Sequence, residues 1–383
     1  MTPSDKPFEA TLVSCEVCLR EIPKSEATAP EAVDYFVYFC GPDCFEKWTD
    51  HRRPSEEDVA GAQEAGATLG ERHSQPLEHA MNAIEQQAMT LALGTHDSGS
   101  APDFSERRRA FRLLHDTGCF VIPNPWDVGS ARYLQHLGFP ALATTSAGFA
   151  FSQGLPDSEH ALSRDRNLTH IAEITAAVDV PVNADFAAGY GKEPQDVADS
   201  VRRCIATGVA GLSIEDATGD PSLPLYELSL ALERVRGARQ AIDESRADVL
   251  LTARAECYLV GHPHPLQESV RRLQAYAEAG ADVLFAPGVR EPADIRAIVE
   301  ALRPKPFNLL VVGDSGFNVA DIAALGVRRI SVGPALALAA WTGFRRAARM
   351  LKVEGRFAGF ANLVPYNDIN GFFTADSGAR SGG

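Results

Sequence analysis

The segment VPVNADFAAGYGKEPQDVADSVRRCIATGVAGLSIED, residues 180–216, contains the unit that decides the fold. Two short apolar runs, Val180–Ala184 and Gly211–Ile214, have the length and composition of buried strands, and a helical segment lies between them. A strand, a helix and a second strand in this order predict a parallel β-α-β unit. A carboxylate follows each strand directly, Asp185 after the first and Glu215 after the second.

The same alternation continues through most of the chain. Eight apolar runs predict strands: Cys119–Pro123, Ala141–Thr145, Val180–Ala184, Gly211–Ile214, Val249–Ala253, Asp282–Ala286, Phe307–Val312 and Arg329–Val332. Helical segments are predicted between and after them: Val128–Leu137, Arg166–Val178, Pro194–Thr207, Glu227–Glu244, Leu266–Ala279, Pro292–Leu302, Val319–Leu325 and Ala335–Leu351. Eight such units within about 250 residues favour a closed (β/α)8 TIM barrel, with an open doubly wound sheet as the alternative.

Composition divides the 383 residues into four parts. We predict a tetra-cysteine metal-binding domain at 11–49, an acidic linker with one amphipathic helix at 50–103, a barrel catalytic domain at 104–371 and a flexible tail at 372–383. Residues 1–104 hold 19 Asp and Glu against 7 Lys and Arg. This acidic balance argues against nucleic acid as a partner. The sequence also shows no membrane span or signal peptide, so the expected compartment is the cytoplasm.

Four cysteines form two close pairs near the amino terminus, Cys15 with Cys18 and Cys40 with Cys44. Two such pairs, when folded together, make a tetrahedral thiolate site that suits Zn²⁺ or another thiophilic metal. Four ordinary reduced cysteines are the alternative. The segment resembles treble-clef domains of the TRASH and YHS type and a small domain of mercury-resistance elements, and the resemblance leaves a structural or a sensing role open.

Polar residues follow the predicted barrel strands at the end where the active sites of such barrels lie. Asp185 and Glu215 end the third and fourth strands, and Arg254 ends the fifth. One interpretation is a rim salt bridge between Glu215 and Arg254. The other is a Mg²⁺ site of hard carboxylate oxygens, with an arginine that binds a substrate carboxylate.

Seven motifs follow one another along the chain: NPWDVGSARYLQHLGFPALATTSAG, GLPD, ADFAAGYG, GLSIED, LTARAE, YAEAGADVLFAPG and GVRRISVG. In this order, over roughly residues 108 to 350, they resemble the isocitrate lyase and phosphoenolpyruvate mutase superfamily. The resemblance implies a (β/α)8 barrel that binds Mg²⁺ and acts on a 2-oxo acid through an enolate. It also implies a homodimer or homotetramer, often with the last helix exchanged between subunits.

The resemblance also assigns roles to individual residues. Asp185 matches the direct Mg²⁺ ligand, whereas Asp157 and Glu215 match carboxylates that hold metal-bound water. Arg254 matches the arginine that steadies the 2-oxo acid. The residues matched to substrate binding are Trp126, Asp127, Ser146, Ala147, Gly148 and Asn308.

Two departures limit what the resemblance implies. The superfamily usually carries a second carboxylate two residues after the first, and here that position is Ala187. The loop EDATGDPSLPLYEL, residues 215–228, has no Cys, Lys or Arg, whereas lyases of the superfamily carry a catalytic cysteine there. Cys257 is the one thiol expected near the mouth, and a buried, inert role is the favoured alternative. We therefore expect C–C cleavage or decarboxylation, with C–P phosphonomutase-like chemistry or a degenerate, metal-responsive binding barrel as alternatives.

Overall fold

The structure, a computed structural model, describes residues 12–14, 21–23, 103–158 and 161–381. At the amino terminus, strands β1 (Leu12–Ser14) and β2 (Glu21–Pro23) pair in antiparallel fashion. Cys15, Cys18, Cys40 and Cys44 lie outside the described residues, as does the linker predicted at 50–103 except for Asp103. The predicted metal-binding domain therefore stays a prediction.

Eight further strands form one parallel sheet. They are β3 (Phe120–Ile122), β4 (Leu142–Ala143), β5 (Val182–Asp185), β6 (Gly211–Glu215), β7 (Leu250–Arg254), β8 (Val283–Phe285), β9 (Phe307–Leu310) and β10 (Arg329–Ser331). Each strand from β4 to β10 pairs with the next in sequence, and β10 pairs with β3. The remaining gap is bridged where Ala143 N donates to Pro123 O at 3.0 Å. The predicted TIM barrel is confirmed.

Eleven α-helices accompany these strands in the described residues. They are α1 (Ser105–Leu114), α2 (Val128–His136), α3 (Ser146–Ser152), α4 (Arg164–Ala177), α5 (Pro194–Ala206), α6 (Leu228–Ser245), α7 (Pro265–Glu278), α8 (Pro292–Leu302), α9 (Val319–Ala324), α10 (Ala335–Arg349) and α11 (Tyr366–Ser381). The eight predicted helices correspond to α2 and to α4–α10. Within the described residues, no helix has the length and apolar character needed to cross a membrane.

Residues 372–381 of the predicted flexible tail at 372–383 form the second part of α11. This helix lies against α2, where the ring of Phe372 meets that of Tyr133 edge to face at 5.3 Å between centroids. An ion pair reinforces the contact, because Asp376 Oδ2 lies 3.3 Å from Arg132 Nη1. The sequence of α11 is rich in small and polar residues and shows no clear helical period of apolar residues. Its contacts with α2 stabilise a helix that this pattern did not indicate.

Helix α1 closes the amino end of the barrel. Its Phe111 is fully buried and packs with Phe120 and Leu250, which project from β3 and β7. A Cβ atom on Gly211 would lie only 2.7 Å from the Phe111 ring, so glycine at the start of β6 makes room for it. This end of the barrel is filled by packed side chains. We call the opposite end, at the carboxyl ends of the strands, the mouth.

Candidate active site

The guanidinium of Arg254 joins three carboxylates at the mouth. Its Nη1 lies 3.1 Å from Asp185 Oδ1 and 2.9 Å from Glu215 Oε2, and its Nε donates to Glu256 Oε1 at 2.8 Å. The side chains of these four residues are between 5% and 20% exposed, so solvent screens their charges weakly. Burial lowers the pKa of Arg254, but the three carboxylates outweigh burial and raise that pKa above its ordinary value. Arg254 is therefore a fixed positive charge in the mouth.

Strand pairing explains why these groups meet. Glu215 and Arg254 are register partners at the carboxyl ends of β6 and β7, and Asp185 ends the adjacent strand β5. The backbone N–H of Asp185 donates to Thr144 Oγ1 at 2.9 Å. Its Oδ2 accepts hydrogen bonds from Ser146 N at 2.9 Å and from Ser146 Oγ at 2.8 Å. The first turn of α3 thus fixes the carboxylate of Asp185.

Glu256 is a member of this cluster that the sequence analysis did not assign. It is 3% exposed, and burial is the largest influence that raises the pKa of its carboxyl group. Its backbone N–H donates to Asp216 Oδ1 at 2.9 Å. The motif RAE did indicate an acidic residue near the mouth, two positions after Arg254. Its contact with the guanidinium, however, depends on the turn that follows β7.

Asp216 directly follows Glu215, but its side chain contacts the surrounding helices. Its Oδ2 accepts from Tyr276 at 2.6 Å and from Arg272 at 3.1 Å. Burial raises the pKa of Asp216, and these hydrogen bonds and the Arg272 charge act in the opposite direction. The two neighbouring acids therefore have different functions, with Glu215 in the mouth and Asp216 as a structural link from β6 to α7.

The donor set of the cluster is suitable for Mg²⁺. Its ligand atoms are hard carboxylate oxygens, and three carboxylates share one guanidinium, which leaves an excess of negative groups for a cation to neutralise. Among residues 103–158 and 161–381, no three Asp, Glu, His or Cys side chains are arranged as a metal site by themselves. Water molecules would therefore complete the coordination shell, as is common for Mg²⁺.

Most residues assigned to substrate binding surround α3. Ala147 and Gly148 are buried in its first turn, and the N-cap Thr145 accepts from Gly148 N at 3.2 Å. A Cβ atom on Gly148 would lie 3.0 Å from Trp126 Cβ, so this tryptophan adjoins the turn. Asp127 is exposed, and its carboxylate accepts from Ser130 N at 2.7 Å as the N-cap of α2. Its observed contact is therefore a structural one.

The structure places Asn308 in a buried polar network. This residue is 1% exposed inside the barrel, where its Oδ1 accepts from Arg329 Nε at 2.7 Å and its Nδ2 donates to Ser331 Oγ at 2.9 Å. Arg329 also donates to Thr252, which precedes Arg254 by two residues on β7. Asn308 therefore belongs to a polar network with Arg329 and Ser331, and its assignment to substrate binding stays a prediction.

Asp157 was assigned to a carboxylate that holds metal-bound water. It lies in the segment that follows α3, and its side chain is exposed. The two residues after Ser158 are outside the described part of the chain. The assignment of Asp157 to a metal-bound water thus stays a prediction.

The two departures from the superfamily pattern have clear structural forms. Ala187 adopts a left-handed backbone conformation with φ of 46°, and its carbonyl accepts from Glu215 N at 3.1 Å. The side chain of Cys257 is fully buried, and burial raises the pKa of its thiol to about 11. A thiol in this state is a poor nucleophile at neutral pH, which agrees with the inert role favoured by the sequence.

Comparison with known proteins agrees with this fold. The family model described as phosphoenolpyruvate phosphomutase matches residues 111–352, and a domain of unknown function, DUF3330, matches residues 6–71. An uncharacterized protein of Mycobacterium tuberculosis is 33% identical over 225 residues, which are 58% of this chain and 81% of that protein. These matches cover both the barrel and the cysteine-containing segment.

Two solved structures extend the comparison. A putative lyase/mutase from Burkholderia cenocepacia is 44% identical and superposes with a TM-score of 0.67, covering 70% of this chain and 96% of the other. The complex of phosphonopyruvate hydrolase with oxalate and Mg²⁺ is 26% identical with a TM-score of 0.63, covering 72% of this chain and 97% of the other. The chain belongs to the phosphoenolpyruvate phosphomutase family, within the isocitrate lyase and phosphoenolpyruvate mutase superfamily.

Proposed function

We propose that this protein is a Mg²⁺-dependent lyase that acts on a small 2-oxo acid or a related dicarboxylate, by C–C cleavage or decarboxylation. The observation that supports this most directly is the position of Arg254, a fixed cation held by Asp185 and Glu215 at the mouth. Breaking a bond next to a 2-oxo group places negative charge on the oxo oxygen, as an enolate. A preorganised positive group stabilises that charge more than it stabilises the neutral carbonyl.

The residues have separate proposed roles. Arg254 binds the 2-oxo acid and neutralises the oxygen that becomes negative. The turn at Ser146–Gly148, with Trp126 beside it, receives the substrate carboxylate and orients the bond to be broken. Asp185 would hold Mg²⁺ directly, and Glu215 and Asp157 would hold it through water. When bound, Mg²⁺ would supply a second positive charge that stabilises the developing enolate.

The loop after β6 supports C–C chemistry over C–P chemistry. Between residues 217 and 226 its one charged side chain is Asp220. The loop is closed on itself, because Thr218 N donates to Pro224 O at 3.0 Å and Asp220 Oδ1 accepts from Ser222 N at 2.8 Å. Transfer of a phosphoryl group requires cations around its oxygens. This loop offers a carboxylate instead.

Phosphonomutase-like activity on a C–P bond is the second candidate, favoured by the match to the phosphoenolpyruvate phosphomutase model. A degenerate barrel that binds ligands without turnover is the third, and Ala187 is the observation that favours it.

The three candidates are separated by one substrate screen. Zinc-saturated full-length protein would be assayed with Mg²⁺ against oxaloacetate, a 2-methylisocitrate-type substrate and phosphonopyruvate, with Asp185→Asn as the inactive control. We expect turnover of a C–C substrate that is lost on removal of Mg²⁺ with EDTA. Turnover of phosphonopyruvate alone would establish the second candidate. Binding of oxalate without turnover of any of the three would favour the third.

For the amino-terminal segment, we propose one Zn²⁺ ion bound by Cys15, Cys18, Cys40 and Cys44. Supporting this are the spacing of the two pairs and the small size of a segment that metal binding could help to fold. Metal analysis of the purified protein and of a Cys40→Ser, Cys44→Ser variant tests it. Equal zinc content in the two proteins would exclude this site.

We also propose that the protein is a cytoplasmic homodimer or homotetramer. In the described residues, the segment after α10 exposes several large apolar side chains, among them Val353 (77% exposed), Phe357 (68%) and Leu363 (66%). Exposed apolar groups this close together are typical of a protein–protein interface. Sedimentation analysis of the wild type and of a Val353→Ser, Phe357→Ser variant tests this proposal, and a monomeric wild type would exclude it.

A further inference from the structure

Arg234 of α6 is a fully buried arginine whose hydrogen bonds reach backbone carbonyls. Its guanidinium donates to the carbonyl oxygens of Ala188 and Gly191 and, at 2.8 Å, to that of Lys192. It also lies 4.1 Å from the centre of the Tyr226 ring, within range of a cation–π interaction. A buried charge is costly unless well-placed partners compensate it, and here three of those partners belong to one short loop.

That loop, Phe186–Lys192, has an unusual backbone. Ala187, Gly189 and Tyr190 all have positive φ angles, of 46°, 81° and 56°. Glycine adopts this conformation freely, but it costs about 1–2 kcal/mol for each of the other two residues. Strained conformations of this kind persist only where surrounding contacts determine them. Arg234 provides such contacts at the residue directly after Ala187 and at the residue directly after Tyr190.

The loop is connected directly to the two carboxylates of the proposed metal site. Asp185 immediately precedes it, and the carbonyl of Ala187 accepts from Glu215 N at 3.1 Å. Arg234 and Glu215 also line the same small cavity, which has a volume of about 10 Å³ and reaches Arg254. The loop therefore connects Arg234 with both carboxylates through backbone contacts.

We propose that Arg234 is a positioning residue that holds the loop Phe186–Lys192, so that Asp185 and Glu215 keep the geometry that binds a divalent cation. This inference rests on the proposed Mg²⁺-dependent function. Arg234 acts through the loop backbone and does not touch the substrate. Its removal should therefore weaken metal binding more than it weakens the fold.

The test measures binding of Mn²⁺ to full-length, zinc-saturated protein by electron paramagnetic resonance, with Mg²⁺ as competitor. Lysine at position 234 keeps the charge but cannot present the planar set of donors, so we expect Arg234→Lys to raise the Kd for Mn²⁺ about 10-fold or more. Amide hydrogen exchange in residues 186–192 should become faster in this variant. The matched control is Arg239→Lys on the same helix, because Arg239 pairs with Asp243 and Asp282 away from the loop.

The outcomes separate this inference from the proposed function. If the wild type does not bind Mn²⁺, the proposed function fails. If the wild type binds and Arg234→Lys binds equally well, or if both lysine variants weaken binding equally, the inference about Arg234 is overturned.

Should Arg234→Lys fail to fold, Tyr226→Leu and Tyr226→Phe replace it. Loss of the ring in the leucine variant should raise the Kd for Mn²⁺ relative to the phenylalanine variant, and equal values would overturn the inference.

Discussion

Arg254 lies between Asp185 and Glu215, with its Nη1 atom 3.1 Å from one carboxylate and 2.9 Å from the other. The three residues of this contact end the consecutive strands β5, β6 and β7, so the barrel itself sets the distances between their side chains. A fixed guanidinium with carboxylates on two sides can hold an anionic substrate and a cation next to each other. Each of these groups can be tested separately.

Asp185→Asn should abolish metal-dependent activity. Asparagine is nearly the same size and can still accept from Ser146, but it removes the negative charge that a divalent cation needs. We expect the Kd for Mg²⁺ to rise at least about 10-fold and kcat to fall about 100-fold or more. Titration of Mg²⁺ in the activity assay gives both values. Asp243→Asn, at an exposed position on α6, is the control and should leave both unchanged.

Arg254→Lys should lower kcat while the protein stays folded. A lysine ammonium keeps the charge but cannot contact Glu256 and the other two carboxylates in the geometry of the guanidinium. We expect kcat/KM to fall about 100- to 1,000-fold, the usual effect of losing one preorganised group that stabilises a developing oxyanion. The exposed Arg236→Lys is the matched control. A lysine variant with wild-type kcat/KM would show that Arg254 has only a structural function.

Ala187→Asp should strengthen Mg²⁺ binding. Position 187 has a left-handed backbone conformation that aspartate and asparagine adopt more easily than alanine, so the substitution does not add strain. A carboxylate there restores the pattern of two acids found in the superfamily, and we expect the Kd for Mg²⁺ to fall about 10-fold or more. Ala187→Asn is the control, because it provides a similar shape without the charge. Equal affinity of the two variants would mean that the new carboxylate does not reach the metal.

The sequence was sufficient to predict the barrel because buried parallel strands leave an unambiguous pattern of short apolar, β-branched runs. It also placed Asp185, Glu215 and Arg254 together, since residues that end parallel strands share one side of a sheet. It could not indicate the depth of a polar residue within the barrel. Asn308 is the second residue of β9 and joins the buried network of Arg329, which no spacing rule distinguishes from a position at the mouth.

The contacts of Glu256 and Arg234 could not be predicted from the sequence, for a related reason. Glu256 comes after β7, where a turn directs its side chain back toward Arg254. Arg234 lies on a helix more than forty residues from the loop that it contacts. Both depend on how helices and turns lie over the sheet, and an acidic or basic residue in such a segment is usually expected on the surface.

Acid should destabilise the fold partly through two buried histidines, His115 and His170. Burial, helped for His115 by the charge of Arg329, lowers their pKa values from 6.5 to about 3 and about 4. Between these pKa values and pH 6.5, the unfolded chain binds more protons than the folded chain does. The free energy of unfolding therefore falls as the pH drops through this range, by up to about 1.4 kcal/mol per pH unit for each histidine. His115→Gln keeps an acceptor for Arg329 without a titratable ring, and should reduce the slope of unfolding free energy against pH between 6 and 4, as measured in urea. The exposed His264→Gln is the matched control for the substitution itself. An equal slope in wild type and His115→Gln would show that His115 does not contribute to acid denaturation.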